Sequence, residues 1–438
     1  MREGELRGED RARPFAFARG GAPGQHGVDE QLDRAAAPGE RPGRPARRQR
    51  GRQPAPPVAA RRHAPAVDQR ARRQRQQRTR RALLFEELPV AREEDFPQSG
   101  SFLVWSKLGK PVLLVRGKDG VVRAFYNTCR HRGAAVTPAE SGRTTLLRCQ
   151  YHSWSYDLTG RLIGVPEEHD FCGLDKSAHG LIPIRCDSFG GTIWINFDDN
   201  AAPLLSTLGT LPDEWACMGM EQLRVVYRRS QVIACNWKAA VDAFQEVYHI
   251  NTIHRESIGD AYNSRAATMG LIDGGHSRMV VAYNAHARDK LGMSNPGTPD
   301  IAGATHLHRN ASVAYLAFPS MLSPFRSIFV QQMRFWPRGV DECEMDIVTL
   351  GPDWGESERP DYWDMAAPAF DKVLDEDMAN LSSIQNSMRS GALKHVTLSY
   401  QERRIYWANQ RIDALIGTDN IPEQLRVQPV LTAERHDD

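Results

Sequence analysis

The feature that most narrows what this chain can fold into is a pair of short Cys/His loops. Cys129-Arg-His131 is followed, seventeen residues on, by Cys149-Gln-Tyr-His152, and each pair ends a short apolar run, at 121–126 and at 146–149. Two Cys and two His held in two loops make a four-ligand set. Structural zinc fingers normally pair Cys with Cys in one loop and His with His in the other, whereas here each loop offers one of each. That mixture suits a two-iron cluster with both Cys on one iron and both His on the other. A structural zinc protein that binds a partner is the rival reading of the same residues, and it would be colourless and free of sulfide. The other Cys stand at 172, 186, 217, 235 and 343, an odd total with no dense framework, which argues against a secreted disulfide scaffold.

The surroundings of the loops read as β-structure. Apolar runs at 102–105, 111–115, 121–126, 146–149 and 192–197 alternate with turn signals such as GKDG at 117–120 and DLTG at 157–160, the pattern of an antiparallel β domain. Downstream, 224–235 alternates as a strand. Trp237, Val241, Phe244 and Tyr248 then recur at helical spacing, with Asp242, Glu246 and His249 on another stripe. His254 lies five residues past His249, so the helix must bend or end for the two to meet. Residues 363–390 read as a long helix whose apolar stripe runs through Phe370, Val373, Leu374, position 377, Leu381, Ile384 and Met388. Position 377 is Asp. A carboxylate on a core-facing stripe is costly unless it is paired or bound to metal, while Asp371, Asp375 and Glu376 fall on the polar side. Two His and one carboxylate form the facial triad of non-haem Fe(II) sites, with positions left open for dioxygen and substrate. Residues 312–318 and 327–336 read as strands joined by a Pro-rich turn at 319–324.

These segments carry a resemblance. CRHRG at 129–133 and CQYHSW at 149–154 resemble the Rieske domain of aromatic ring-hydroxylating oxygenase large (alpha) subunits. Rieske proteins of respiratory bc complexes have an additional Cys in each loop, where this chain has Ala134 and Tyr151. NWKAAVDAFQEVYHINTIH at 236–254 is similar to the segment that supplies two His ligands to the mononuclear iron of the same family, and EDMANLSSIQNSMRSG at 376–391 is similar to its acidic pair.

The resemblance, which runs from about 90 to 425, implies an α+β fold. An N-terminal all-β Rieske [2Fe-2S] domain at 82–215 would precede a helix-grip catalytic domain at 216–425, an antiparallel sheet around a long C-terminal helix, with a short tail at 426–438. Cys129, His131, Cys149 and His152 would hold the cluster, and His249, His254 and Asp377 one mononuclear Fe(II). Glu246 would bridge His249 to a cluster His of a neighbouring subunit and carry the electron between the sites, with Asp242 helping to hold it; many family members have Asp in place of this Glu. NAD(P)H would supply electrons through a separate reductase, with or without a ferredoxin, since no nucleotide-binding Gly loop is evident here. A homotrimer is expected, and a companion beta subunit stays open.

The function implied is hydroxylation, with dihydroxylation preferred, of an aromatic or other apolar ring compound, as in aromatic hydrocarbon catabolism. Demethylation or hydroxylation of a quaternary amine is the alternative, and a non-enzymatic electron carrier a third reading. Phe244, Tyr262, Met269, Phe318, Met333 and Phe335 are candidate pocket residues, with plain core as the bland reading of each.

Residues 1–81 stand apart. They hold 21 Arg, no Lys and 9 acidic residues, with no Ile, Tyr, Trp or Cys. So little apolar surface cannot offset the entropy of ordering the chain, and a disordered low-complexity segment is expected. It reads as a solvated tail, as a basic arm, or as the translation of an upstream start or shifted frame in GC-rich DNA. The remainder carries 35 basic and 45 acidic residues, a balance that argues against a nucleic-acid surface on the folded part. No apolar run reaches the roughly 18–20 residues of a membrane span, and the expected location is cytoplasmic, with no membrane partner.

Overall fold

The computed structural model describes residues 82–434 other than 292, 294–297 and 394, together with 61–62 and 79. The disorder expected for 1–81 therefore lies, apart from those three residues, outside the described residues. Arg61–Arg62 pairs with His395–Val396 as a two-stranded ribbon. Among the described residues no helix is long and apolar enough to cross a membrane.

Short β-branched and aromatic runs build the first half. Leu88–Arg92, Thr192–Asn196, Pro183–Phe189, Val122–Tyr126, Val112–Arg116, Ser101–Trp105 and Ser141–Arg143 lie side by side, in that order, in a seven-stranded antiparallel sheet. Leu147–Arg148, Ser155–Tyr156 and Leu162–Gly164 form a separate three-stranded sheet, whose Leu147, Tyr156 and Leu162 pack with Phe102, Leu113 and Phe125 of the first. The expected strands appear with their ends shifted by about one residue. Those at Leu88–Arg92 and Pro183–Phe189 were not read from the sequence; Pro183 opens the latter, where a missing N–H is tolerated.

The second half is another seven-stranded antiparallel sheet, in the order Arg224–Ile233, Cys343–Gly351, Val330–Pro337, Met321–Phe325, Ala311–Ala317, Ser277–Ala282 and Thr268–Leu271. The helix Tyr362–Ser390 buries Leu374 and Leu381 in one cluster with Ile233, Leu322, Met333, Phe335, Met345 and Ile347 from this sheet. Each such side chain contributes about 1.5–3 kcal/mol by leaving water. The expected Pro-rich turn at 319–324 is corrected: Met321–Phe325 is a strand paired on both sides. Pro324 fits there because its pairing with Val330–Pro337 skips 323 and 324, and the Ser323 hydroxyl donates to the Gln331 carbonyl instead.

The two halves share a core. Trp194 of the first sheet packs with Trp215, Phe325 and Val348, and Trp105 meets Trp336 edge-on at 5.3 Å. The buried Arg92 guanidinium donates to the carbonyls of Gly190, Met220 (3.0 Å) and Leu223 (3.2 Å). Ala82 and Leu83, placed with the first domain by sequence, join the core beneath the long helix. Residues 426–434, expected as a tail, are tied to the helix Arg403–Ile416: the Val427 N–H donates to Asp413 at 2.7 Å and the Leu431 N–H to Gln410 at 3.2 Å.

Candidate metal centres

Two reverse loops present the Cys/His quartet. The Cys129 N–H bonds the Ala134 carbonyl at 2.7 Å, and the Cys149 N–H bonds that of Trp154 at 2.9 Å. Gly133 closes the first loop at φ +78°, a left-handed conformation that costs glycine little. Asn127 pins the same loop by accepting from the N–H groups of Val136 and Thr137 and donating to the Thr137 carbonyl. Both Cys are buried, while His131 and His152 are half-exposed with ring centroids 4.5 Å apart. Trp154 stacks on His131 at 5.0 Å, and Tyr156 Oη stands 3.3 Å from Cys129 Sγ. Burial, followed by the Tyr156 and His131 hydrogen bonds acting against it, leaves the Cys129 thiol raised on balance. His131 Nδ1 is buried with no hydrogen-bond partner, as a nitrogen reserved for a metal would be. The donor set and that orphaned nitrogen fit a two-iron cluster.

The second centre rests on a broken helix, which corrects the sequence reading. Trp237–Ala243 is helical, capped by the Asn236 side chain accepting the Lys238 N–H at 3.1 Å, and it stops at Phe244. Tyr248, expected on the buried face, is 74% exposed. Two polar devices make the break. Wholly buried Arg404 donates to the Gln245 carbonyl at 3.2 Å and to Ser277 at 2.9 Å; burial pulls its pKa down to about 9, so it stays protonated at neutral pH. Glu246 accepts from the backbone N–H groups of Tyr248 and His249 (3.2 Å) through one oxygen, and bonds His249 Nδ1 through the other. Ile250–Ile253 then forms one turn, and His254 follows it. The Gly259 N–H returns to the His254 carbonyl at 2.7 Å, an approach at which a Cβ would meet that oxygen at 2.8 Å.

Against this segment lies the helix Tyr362–Ser390. Asp377 Oδ1 is 3.0 Å from His254 Nε2 and 3.4 Å from His249 Nε2. One ligand atom from each of the three residues lies within 4.8 Å of the others, and among the described residues no other group of His, Cys, Asp and Glu is gathered so tightly. The Cys/His quartet is spread wider, as two irons require. His254 is 2% and Asp377 8% exposed. Burial acts to lower the His254 pKa, but the carboxylates of Asp377 and Glu376 outweigh it and the net direction is up, the mark of a pocket that favours positive charge. Two nitrogens and a carboxylate oxygen fit Fe(II) in a facial triad.

Glu376 was placed on the polar side of its helix from sequence, yet it accepts from His254 Nδ1 at 2.8 Å and from the Ser257 hydroxyl. Its position next to Asp377 was the available signal. Both imidazoles thus have Nδ1 engaged by a carboxylate, which turns Nε2 inward as a lone-pair donor. Glu376→Gln should weaken iron binding by about 10- to 100-fold, measured by chelator competition; unchanged affinity would mean that Glu376 does not orient His254. Asp242 is half-buried and accepts from Gln245 Nε2 at 3.4 Å. Of the expected pocket residues, Phe244, Phe318, Met333 and Phe335 pack in the cluster beneath the long helix, whereas Tyr262 and Met269 pack with Val247 and Ile250. The long helix also departs from its expected stripe: Ile384 is exposed and Gln385 is buried, accepting the Asn236 N–H at 2.8 Å.

Comparison with known proteins agrees with this layout. Residues 86–179 match the model of the Rieske [2Fe-2S] domain, and residues 220–418 that of the ring hydroxylating alpha subunit catalytic domain. Over 164 residues the chain is 37% identical to the glycine betaine monooxygenase oxygenase subunit of Pseudomonas aeruginosa, covering 37% of this chain and 38% of that protein. Over 173 residues it is 35% identical to the biphenyl 2,3-dioxygenase alpha subunit of Rhodococcus jostii, covering 38% and 37%. These alignments span little more than a third of each relative's length. The fold superposes on a quaternary ammonium Rieske monooxygenase with a TM-score of 0.68 at 19% identity, covering 82% of this chain and 96% of that one. It superposes on naphthalene 1,2-dioxygenase from Rhodococcus sp. with a TM-score of 0.64 at 21% identity, covering 78% and 91%.

Proposed function

We propose, for a chain that belongs to the family of Rieske-type ring-hydroxylating oxygenase large (alpha) subunits, the role of terminal oxygenase. In this reading it inserts oxygen from dioxygen into a small organic substrate, using electrons that originate in NAD(P)H and arrive through a separate reductase, with or without a ferredoxin. The observation that carries it is the convergence of His249, His254 and Asp377 on one buried point, in a chain that also presents the Cys/His quartet. Cys129, His131, Cys149 and His152 would hold a [2Fe-2S] cluster, and the triad Fe(II). Iron in such a site supplies open coordination positions for dioxygen.

The remaining work belongs to the side chains. Glu376 and Glu246 hold the two imidazoles in one tautomer, and the buried wall around His254 and Asp377 keeps bulk water away. Glu246 is proposed as the contact through which a neighbouring subunit's cluster domain reaches His249, within a homotrimer. For substrate we place oxidation of a quaternary amine ahead of hydroxylation of an aromatic ring. Relatives of both kinds are similarly identical, 37% against 35%, and substrate-dependent oxygen uptake with glycine betaine against biphenyl decides the order.

Metal analysis tests the whole reading. Anaerobically purified protein should hold about three iron atoms and two acid-labile sulfides per chain, with the visible absorption of a Rieske cluster. Zinc without sulfide would end the oxygenase reading, and two iron with two sulfide that added Fe(II) does not raise to three would leave an electron carrier.

A further inference from the structure

Several buried donors without partners lie near one another, and one of them, Tyr262, packs against the segment that carries His249. Tyr262 Oη, Tyr283 Oη, Thr298 Oγ1 and Arg326 Nε are all buried without a hydrogen-bond partner. Tyr262 and Tyr283 meet edge-on at 5.5 Å, and the Arg326 guanidinium lies 5.8 Å from the Tyr262 ring and 4.9 Å from that of Phe329. The Tyr262 hydroxyl is turned towards Arg326 and Ser312 without a hydrogen bond of normal geometry. Among the described residues no carboxylate pairs with Arg326. Asp300, beside Ser327, is instead held by Arg309 at 2.8 Å.

We propose that Arg326, with the hydroxyls of Tyr262 and Tyr283, forms a subsite for a carboxylate on the substrate. Every polar group here is or carries a donor, and burying a donor unpaired costs about 1–3 kcal/mol. One anionic group with two acceptor oxygens answers that pattern, and a guanidinium presents the matching fork. The faces of Tyr262 and Phe329 already carry a cation, so they do not form a cage for a second one. Burial pushes both phenols up, which keeps them protonated as donors.

The place suits the role. Tyr262 packs with Val247 and Ile250, which flank His249. Phe329 meets Phe370 at 5.2 Å, and Phe370 stands seven residues before Asp377 on the long helix, about 10 Å along its axis. A carboxylate at Arg326 would thus direct the rest of a small dipolar molecule along the long helix towards the triad. This deepens the terminal-oxygenase reading and rests on it.

The test is binding, by anaerobic calorimetry on holoprotein whose iron and sulfide have been counted. The probes are glycine betaine, L-carnitine and benzoate, each beside its methyl ester, with inorganic phosphate as a competitor. At least one acid should bind about 10- to 100-fold more tightly than its ester. Arg326→Gln should erase that preference and leave iron content and cluster absorption unchanged, while Arg326→Lys should keep part of it. Tyr262→Phe, which keeps the ring and removes the hydroxyl, should lower it and carries the test if the Gln variant does not fold. Equal binding of every acid and ester, a preference that survives Arg326→Gln, or phosphate bound more tightly than any acid would each overturn the subsite. Loss of iron from the wild-type chain would instead count against the oxygenase reading, so the two failures are distinguishable.

Discussion

Replacing Asp377 by Ala should leave each chain with about two iron atoms where the intact protein holds about three, and with its cluster absorption unchanged. Asp377 is the only carboxylate that faces both Nε2 atoms among the described residues, at 3.0 and 3.4 Å. Removing it takes away a ligand and the negative charge that draws a cation between the imidazoles. Loss of a partner behind a ligand weakens metal binding by about 10- to 100-fold, and loss of the ligand itself should exceed that. Substrate-dependent oxygen uptake should fall to background. The fold should survive, because His254 keeps Glu376 at Nδ1 and the long helix stays anchored by Leu374, Leu381 and Gln385. Asp377→Glu separates ligand from geometry: it should retain some iron and little turnover. Iron held at wild-type affinity by the Ala variant would refute the assignment.

How far this site was legible from sequence depends on what each residue answers to. Asp377 stood out because a helix facing one sheet has one apolar stripe, and a carboxylate on it needs a reason. Glu376 was hidden by the same logic: the helix has a second neighbour, the His254–Ser257 turn, which no periodicity reveals. The end of the helix at Phe244 was equally invisible. No Gly or Pro marks it, Tyr248 continues the apolar spacing by coincidence, and the break is enforced by Arg404, 159 residues away from Gln245. The strand Met321–Phe325 was read as a turn because it follows Pro319 and contains Pro324, and only its neighbours show that the missing N–H is not called on. The Cys/His loops were the most legible part, since their geometry is local: two tight turns, each closed by its own backbone bonds.

With Fe(II) supplied in excess to offset the weaker binding of a freed His249, Glu246→Gln should hold both metals and still lose most turnover. One Glu246 oxygen takes two backbone N–H groups and the other takes His249 Nδ1, so all three partners are donors. Gln offers one acceptor oxygen and one NH2 group, and either orientation sets donor against donor. If the amide oxygen keeps the backbone, His249 Nδ1 loses its acceptor and the ring is free to turn. If it keeps His249, the turn that places the ring loosens. Second-sphere losses of this kind cost about 10- to 100-fold in activity. The informative measurement is single turnover: protein with a reduced cluster and bound Fe(II) is mixed with oxygen and substrate, and cluster reoxidation is followed by its absorption. A bridge role requires that this step slow along with overall turnover while iron content and substrate Kd stay near wild type. Glu246→Asp keeps the charge and all acceptors on a shorter arm, so its loss should be smaller than that of Gln. Were Gln to reoxidise at the wild-type rate, Glu246 would be a cap on the turn and no part of the electron path.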